Sequence, residues 1–213
     1  MPDGPFDQST YQVRLEWGVD GLARLAPADI VVVVDVLRFS TTVIEAVERG
    51  ADFPVDAAAR AISINGVAVA EAAAARDALV LLGALRNASA VADAVLAEQQ
   101  RRGGRTSIAV IAAGELTGTH AGATLRFAVE DQLGAGAIIG ALGALGIDHT
   151  SPDAAVASES FRALRRAVTH LLTASGSGLE LIERGRRDEV LTAAGVDAAS
   201  VVPVLRDGVF RAL

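Results

Sequence analysis

Ile30-Val31-Val32-Val33-Val34-Asp35-Val36-Leu37-Arg38-Phe39-Ser40-Thr41-Thr42 is the stretch that decides the fold. The β-branched run from Ile30 to Val34 reads as a strand buried on both faces, as in the middle of a parallel sheet. Asp35 ends the run, and a carboxylate there is costly unless something pairs with it. Ser40, Thr41 and Thr42 then open a helical pattern, Val43-Ile44-x-Ala46-Val47, that closes at Gly50 as a C′ glycine. A carboxylate at a strand end, an arginine three residues on and hydroxyls at a helix N-terminus together suit an anion and a metal ion. The plainer alternative is a helix-capping cluster around an ion-paired Asp35.

Working outward, further strands are expected at Tyr11–Trp17, Ala78–Leu82, Thr106–Ile111 and Val201–Val204. Helices are expected over Thr42–Arg49, Val67–Arg76, Ser89–Arg101, from Thr124 into Leu145, and over Ser158–Thr173. The segment Asp148–Pro152 reads as a turn, and Ala174–Gly178 as a small-residue turn before a helix beginning near Leu179. Strands alternating with helices predict an α/β fold, with a mainly parallel or mixed sheet and helices on both faces. The expectation is one α/β domain over residues 1–213, either a single unit or two intertwined lobes with the second from about residue 112. In such sheets the functional crevice lies beyond the carboxyl ends of the strands. Asp35, the Gly83–Asn87 turn and Ala113-Gly114-Glu115 all fall there.

Composition narrows the class. In a chain of 213 residues that is 51% hydrophobic and only 4% aromatic, the core must be aliphatic. A formal charge of −7 argues against binding nucleic acid through its phosphates. The absence of cysteine removes disulfides, thiol nucleophiles and thiolate metal sites. The N-terminus lacks the pattern of a secretory signal, and the apolar stretch Ala135–Ile147 is too short and glycine-broken to span a bilayer. A cytoplasmic protein without membrane partners is expected. A homodimer is compatible with this composition, although no segment marks an interface.

Glu130-Asp131 lies within a helical pattern, where adjacent side chains point about 100° apart, so one acid can face the crevice. The plainer reading is a solvated acidic step. With Asp35 and Glu115 in the same crevice, three or four oxygen ligands are available for Mg²⁺, with water and a substrate phosphate completing the shell. Arg38 would be the fork-shaped phosphate partner; otherwise it pairs with Asp35 or Glu45. His120 follows the Glu115 loop and could reach the crevice, whereas His149 and His170 read as surface or packing residues. Zinc chemistry, a Ser-His-Asp hydrolase and a nucleotide-binding glycine motif all lack their patterns.

Several blocks together resemble the Mg²⁺-dependent 2-phosphosulfolactate phosphatases. They are Val34-Asp35-Val36-Leu37-Arg38-x-Ser40-Thr41-Thr42 with Gly50-Ala51; Asn65-Gly66; Leu81–Ala88; Ala113-Gly114-Glu115; Glu130-Asp131-x-x-Gly134-Ala135-Gly136; Ser175-Gly176-x-Gly178-x-x-Leu181; and Val202-Pro203-Val204. The resemblance implies hydrolysis of a small phosphorylated acid, 2-phosphosulfolactate, to sulfolactate and phosphate, a step toward coenzyme M. It implies Mg²⁺ on Asp35, Glu115 and Glu130, and catalytic roles for Asp35, Arg38, Glu115 and Asp131. Ser40, Thr41, Thr42, Asn65, Gly66, Asn87 and Gly114 become the substrate-binding candidates. Asp35 could be a metal ligand or a covalent nucleophile. The chain departs from the family pattern: a glycine-rich segment before Asn65-Gly66 is missing, Ile64 and Val67 replace threonines, and Ser177 stands where a histidine is expected. A phosphatase-like scaffold that binds a small anion or a partner without turnover is therefore the alternative function.

Overall fold

The computed structural model describes residues 4–118 and 123–213; His120 lies outside the described residues. In chain order the elements are β1 (Val13–Trp17), α1 (Gly18–Arg24), β2 (Ile30–Val34), α2 (Phe39–Glu48), β3 (Phe53–Pro54), α3 (Ala57–Ile62), α4 (Ile64–Ala74), β4 (Leu79–Gly83) and α5 (Ala88–Arg102). There follow β5 (Ile108–Ala112), β6 (Glu115–Leu116), β7 (Leu125–Arg126), α6 (Val129–Ala144), α7 (Pro152–Leu164), α8 (Val168–Ala174), α9 (Gly176–Glu183), α10 (Arg187–Ala193), β8 (Pro203–Arg206) and β9 (Val209–Ala212).

The main sheet has the order β1-β5-β2-β4-β8-β9-β3. Its first four strands run parallel, and the last three join antiparallel, so the fold is α/β with a mixed sheet. β2 lies between β5 and β4 and is buried along its whole length, as a doubly covered strand must be. Its alternate residues serve different cores. Ile30, Val32 and Val34 join the cluster built with α5, α6 and α7, whereas Val31 and Val33 join the one built with α1, α2 and α4. Helices thus cover both faces.

Register places the site. Val34 lies beside Gly83 on one side and Ala112 on the other. The three strands therefore end level, and the segments following β2, β4 and β5 emerge side by side.

Four local expectations are corrected. α2 starts at Phe39, upstream of the three hydroxyl residues, because Asp35 and the following loop supply the cap. α6 starts only at Val129, and Leu125-Arg126 pairs instead with Glu115-Leu116. The helix expected over Ser158–Thr173 begins at Pro152, capped by Ser151, and is interrupted by a 3₁₀ turn at Arg165–Ala167. Ser175 caps a helix that begins at Gly176 rather than near Leu179. The terminal strand also acquires a partner, β9, across an Asp207-Gly208 turn with both residues at positive φ, the type I′ signature.

Close approach of α6 needs its small residues. A Cβ at Gly134 would press on Val34 and Val36, and one at Gly136 would overlap the Ala157 carbonyl of α7. These glycines let α6 lie against β2 and bring its first turn to the strand ends.

Candidate active site

The loop leaving β2 is closed by its own hydroxyls. The Asp35 amide donates to Ser40 Oγ at 2.9 Å, and the Ser40 amide returns to the Asp35 carbonyl at 2.8 Å. Thr41 Oγ1 donates to the Val36 carbonyl at 2.8 Å, and Thr42 Oγ1 to the Arg38 carbonyl at 2.9 Å. Ser40, Thr41 and Thr42 thus shape the loop, and their hydroxyls are directed to its backbone rather than into the adjacent cleft. Asp35 has no cationic partner in this loop. Its Oδ1 accepts the Phe39 amide at 3.1 Å and its Oδ2 accepts the Ser63 hydroxyl at 2.5 Å.

Glu130 and Asp131 occupy the first turn of α6, where the helix dipole favours negative charge. Each is only 3% exposed, which overturns the solvated acidic step. Asp131 Oδ1 accepts the Val36 amide at 2.7 Å and Oδ2 the Gly114 amide at 2.9 Å. A single carboxylate therefore ties the loop after β2 to the loop after β5. Glu130 faces the cleft and, among the described residues, has no hydrogen-bonding or ion-pairing partner.

Electrostatics follow from this crowding. Burial pushes the Asp35 carboxyl up from 3.8 to about 6; hydrogen bonds from Ser63 and Phe39 pull it back, and the nearby Glu115 and Glu130 charges push it up again. Burial, with the charges of Asp35 and Glu130, holds Asp131 well above the ordinary carboxylate range against its two amide donors. Negative charge gathered out of water calls for a compensating cation or a proton.

The cleft has a volume of about 730 Å³ and is lined by Asp35, Glu115, Glu130 and Asp131, with Arg38, Arg60, Arg184 and Arg186 among the other residues. Glu115, at the start of β6, accepts the Ser177 hydroxyl at 2.9 Å. Asn65 donates to the Gly114 carbonyl at 2.8 Å, and both residues line the cleft. Gly66 allows α4 to abut Asp35, because a Cβ there would overlap Oδ2. Asn65, Gly66, Gly114 and the four acids are thus brought together, although they are scattered through the chain.

Two expectations about partners are corrected. Asn87 is fully buried; its Oδ1 accepts the Ala84 amide at 2.9 Å, and its Nδ2 donates to the Leu82 and Val201 carbonyls at 3.2 and 3.0 Å. It locks the turn after β4 and does not line the cleft. Arg38 does line the cleft, but its ion pair is with Glu189 on α10 at 3.2 Å, not with Asp35 or Glu45. His149 lies against Tyr11 and Arg105 at the other end of β1, as an exposed surface residue.

Ser63, Arg60, Arg184 and Arg186 were not singled out by sequence reading. Ser63 has a local signal, since a serine three residues before Gly66 is a helix-cap pattern, and its hydroxyl does accept the Gly66 amide at 3.0 Å. Nothing local shows that the same hydroxyl reaches Asp35.

The donor set is made of hard oxygens, which suits Mg²⁺ and not zinc. No group of three or more His, Cys, Asp or Glu side chains that could hold a metal ion is present among the described residues. Mg²⁺ is commonly held by one or two carboxylates, with water and substrate phosphate as its other ligands, so a buried and partnerless Glu130 beside Asp35 fits that ion. No helix among the described residues is long and apolar enough to cross a membrane.

A family model described as 2-phosphosulpholactate phosphatase matches residues 56–208, most of the chain. The matched span carries Ser63 to Gly66, Glu115, Glu130 and Asp131, and the Asp35 loop joins it through Ser63 and Asp131.

Proposed function

We propose that this chain, which belongs to the 2-phosphosulpholactate phosphatase family, hydrolyses a small phosphorylated acid with Mg²⁺, converting 2-phosphosulfolactate and water to sulfolactate and phosphate. The observation that carries the reading is the convergence of Asp35, Glu115, Glu130 and Asp131 on one cleft whose lining also holds four arginines. Acids in the water-poor floor suit a divalent cation, and guanidinium groups suit the anionic oxygens of the substrate.

Asp35 and Glu130 would hold the metal ion, while Glu115, expected as a third ligand, accepts the Ser177 hydroxyl at the side of the same cleft. When bound, Mg²⁺ would supply Lewis-acid stabilisation of the phosphoryl oxygens. The other roles belong to the chain itself. Asp131 positions the two loops that carry Asp35 and Glu115. Ser63 fixes Asp35 Oδ2, and Asn65 fixes the Gly114 carbonyl. Arg38 offers its guanidinium to anionic oxygens of the substrate. In the overall step water adds at phosphorus, the bond from phosphorus to the ester oxygen breaks, and a proton from that water ends on the released alcohol.

A second reading, an anion-binding scaffold without turnover, is favoured by the lack of a three-ligand cluster among the described residues. One assay separates the two. Purified protein is given 2-phosphosulfolactate, with a simple phosphate monoester alongside, in Mg²⁺ and in EDTA. Metal-dependent phosphate release supports the phosphatase; binding of the compound with no release in any condition supports the scaffold.

A further inference from the structure

Four arginines line the cleft, and two of them share one acid. Glu189, in the first turn of α10, faces Arg38 Nη1 through Oε2 at 3.2 Å and Arg186 Nη1 through Oε1 at 3.6 Å. One oxygen to each guanidinium is how a carboxylate or sulfonate would sit between two arginines. The second distance exceeds a hydrogen bond, so the grip is not closed. The side chains of Arg38, Arg186 and Glu189 are 20%, 42% and 40% exposed, and ion pairs this open to water are weakly held. By contrast, Arg60 pairs with Glu71 and Arg184 with Glu180, each apart from this pair of guanidiniums.

We infer that Arg38 and Arg186 form a subsite for an acid group of the substrate that does not react, and that Glu189 fills it until the substrate displaces it. The inference rests on the cleft being the substrate site and adds the residues that select the acid. A phosphoryl group drawn to the buried carboxylate floor leaves the rest of a small molecule pointing to the more exposed Arg186. A substrate with a carboxylate or sulfonate gains two charge-assisted contacts there in exchange for Glu189. A monoester with no second acid group gains nothing and leaves Glu189 in place. The internal acid therefore acts as a selectivity filter.

The test is calorimetric titration of sulfolactate, which carries the acid groups and no phosphate, into wild type, Glu189→Gln and Arg186→Gln in Mg²⁺. Glu189→Gln is expected to tighten binding several-fold and Arg186→Gln to weaken it about tenfold. KM for 2-phosphosulfolactate should follow the same order at constant kcat, while KM for ethyl phosphate stays unchanged. Equal affinities in the three proteins, or no binding in any, overturn the subsite. Phosphate release with unchanged affinities removes the subsite and leaves the phosphatase. The expected binding order with no phosphate release keeps the subsite and removes the phosphatase.

Discussion

The Ser63 hydroxyl donates to Asp35 Oδ2 across 2.5 Å, and Ser63 Oγ in turn accepts the Gly66 amide at the start of α4. One atom thus caps a helix and orients the most perturbed acid of the β2 loop. Ser63→Ala removes both bonds. It should cost about 1–2 kcal/mol in denaturant unfolding and lower turnover, whereas Ser63→Thr should recover most of each. Equal loss in both variants would show that the hydroxyl does not matter.

Asp131 is the acceptor for two amides that have no other partner among the described residues. Asp131→Ala leaves the Val36 and Gly114 amides buried without acceptors, at roughly 1–3 kcal/mol each, part of which is offset by removing a charge close to Asp35. A net destabilisation of about 2 kcal/mol or more is expected from equilibrium unfolding. A variant as stable as the wild type would contradict the stapling role.

Asp35 binds its proton more tightly folded than unfolded, because its carboxyl rises from 3.8 to about 6. The folded protein then holds the extra proton between these values, so metal-free stability should fall as pH rises through that window, by roughly 3 kcal/mol from this group. Asp131 acts in the same direction. Melting in EDTA from pH 4 to 7 should slope downward more steeply for wild type than for Asp35→Asn. Identical slopes would refute it.

Glu130 offers the opposite signature from an ordinary buried group. Glu130→Gln removes a charge that no described residue compensates, so metal-free stability should hold or rise. The stabilisation conferred by Mg²⁺, read as the shift in melting temperature on adding the ion, should fall markedly, along with phosphate release. A variant that loses stability in EDTA and keeps its Mg²⁺ response would place the ion elsewhere.

The sheet was legible because one physical pattern dominates it. Five consecutive β-branched residues can be buried only between two covered faces, and Asp35 marks where that burial ends. The strand-end acids were legible as candidates for the same reason. The hydroxyls were not: a serine or threonine near a helix start can aim at a ligand or at its own loop, and Ser40, Thr41 and Thr42 chose the loop. Asn87 shows the same ambiguity, because a polar residue past a strand end can turn back into the core. Ser63 and Glu189 act through residues distant in sequence, so only the fold reveals their partners. The hairpin closing β8 on β9 was missed, although Asp207-Gly208 is a strong short-range turn signal.

The alternation along β2 limits how this site can change. A slip of one residue against β5 and β4 would send every valine to the opposite core, so such a slip is strongly disfavoured. The height of Asp35 above the sheet can then move only in steps of two residues, about 7 Å, which would carry it past Glu130 and Asp131 altogether. New substrates are accordingly reached by rebuilding the rim, while the depth of the acid floor stays constant.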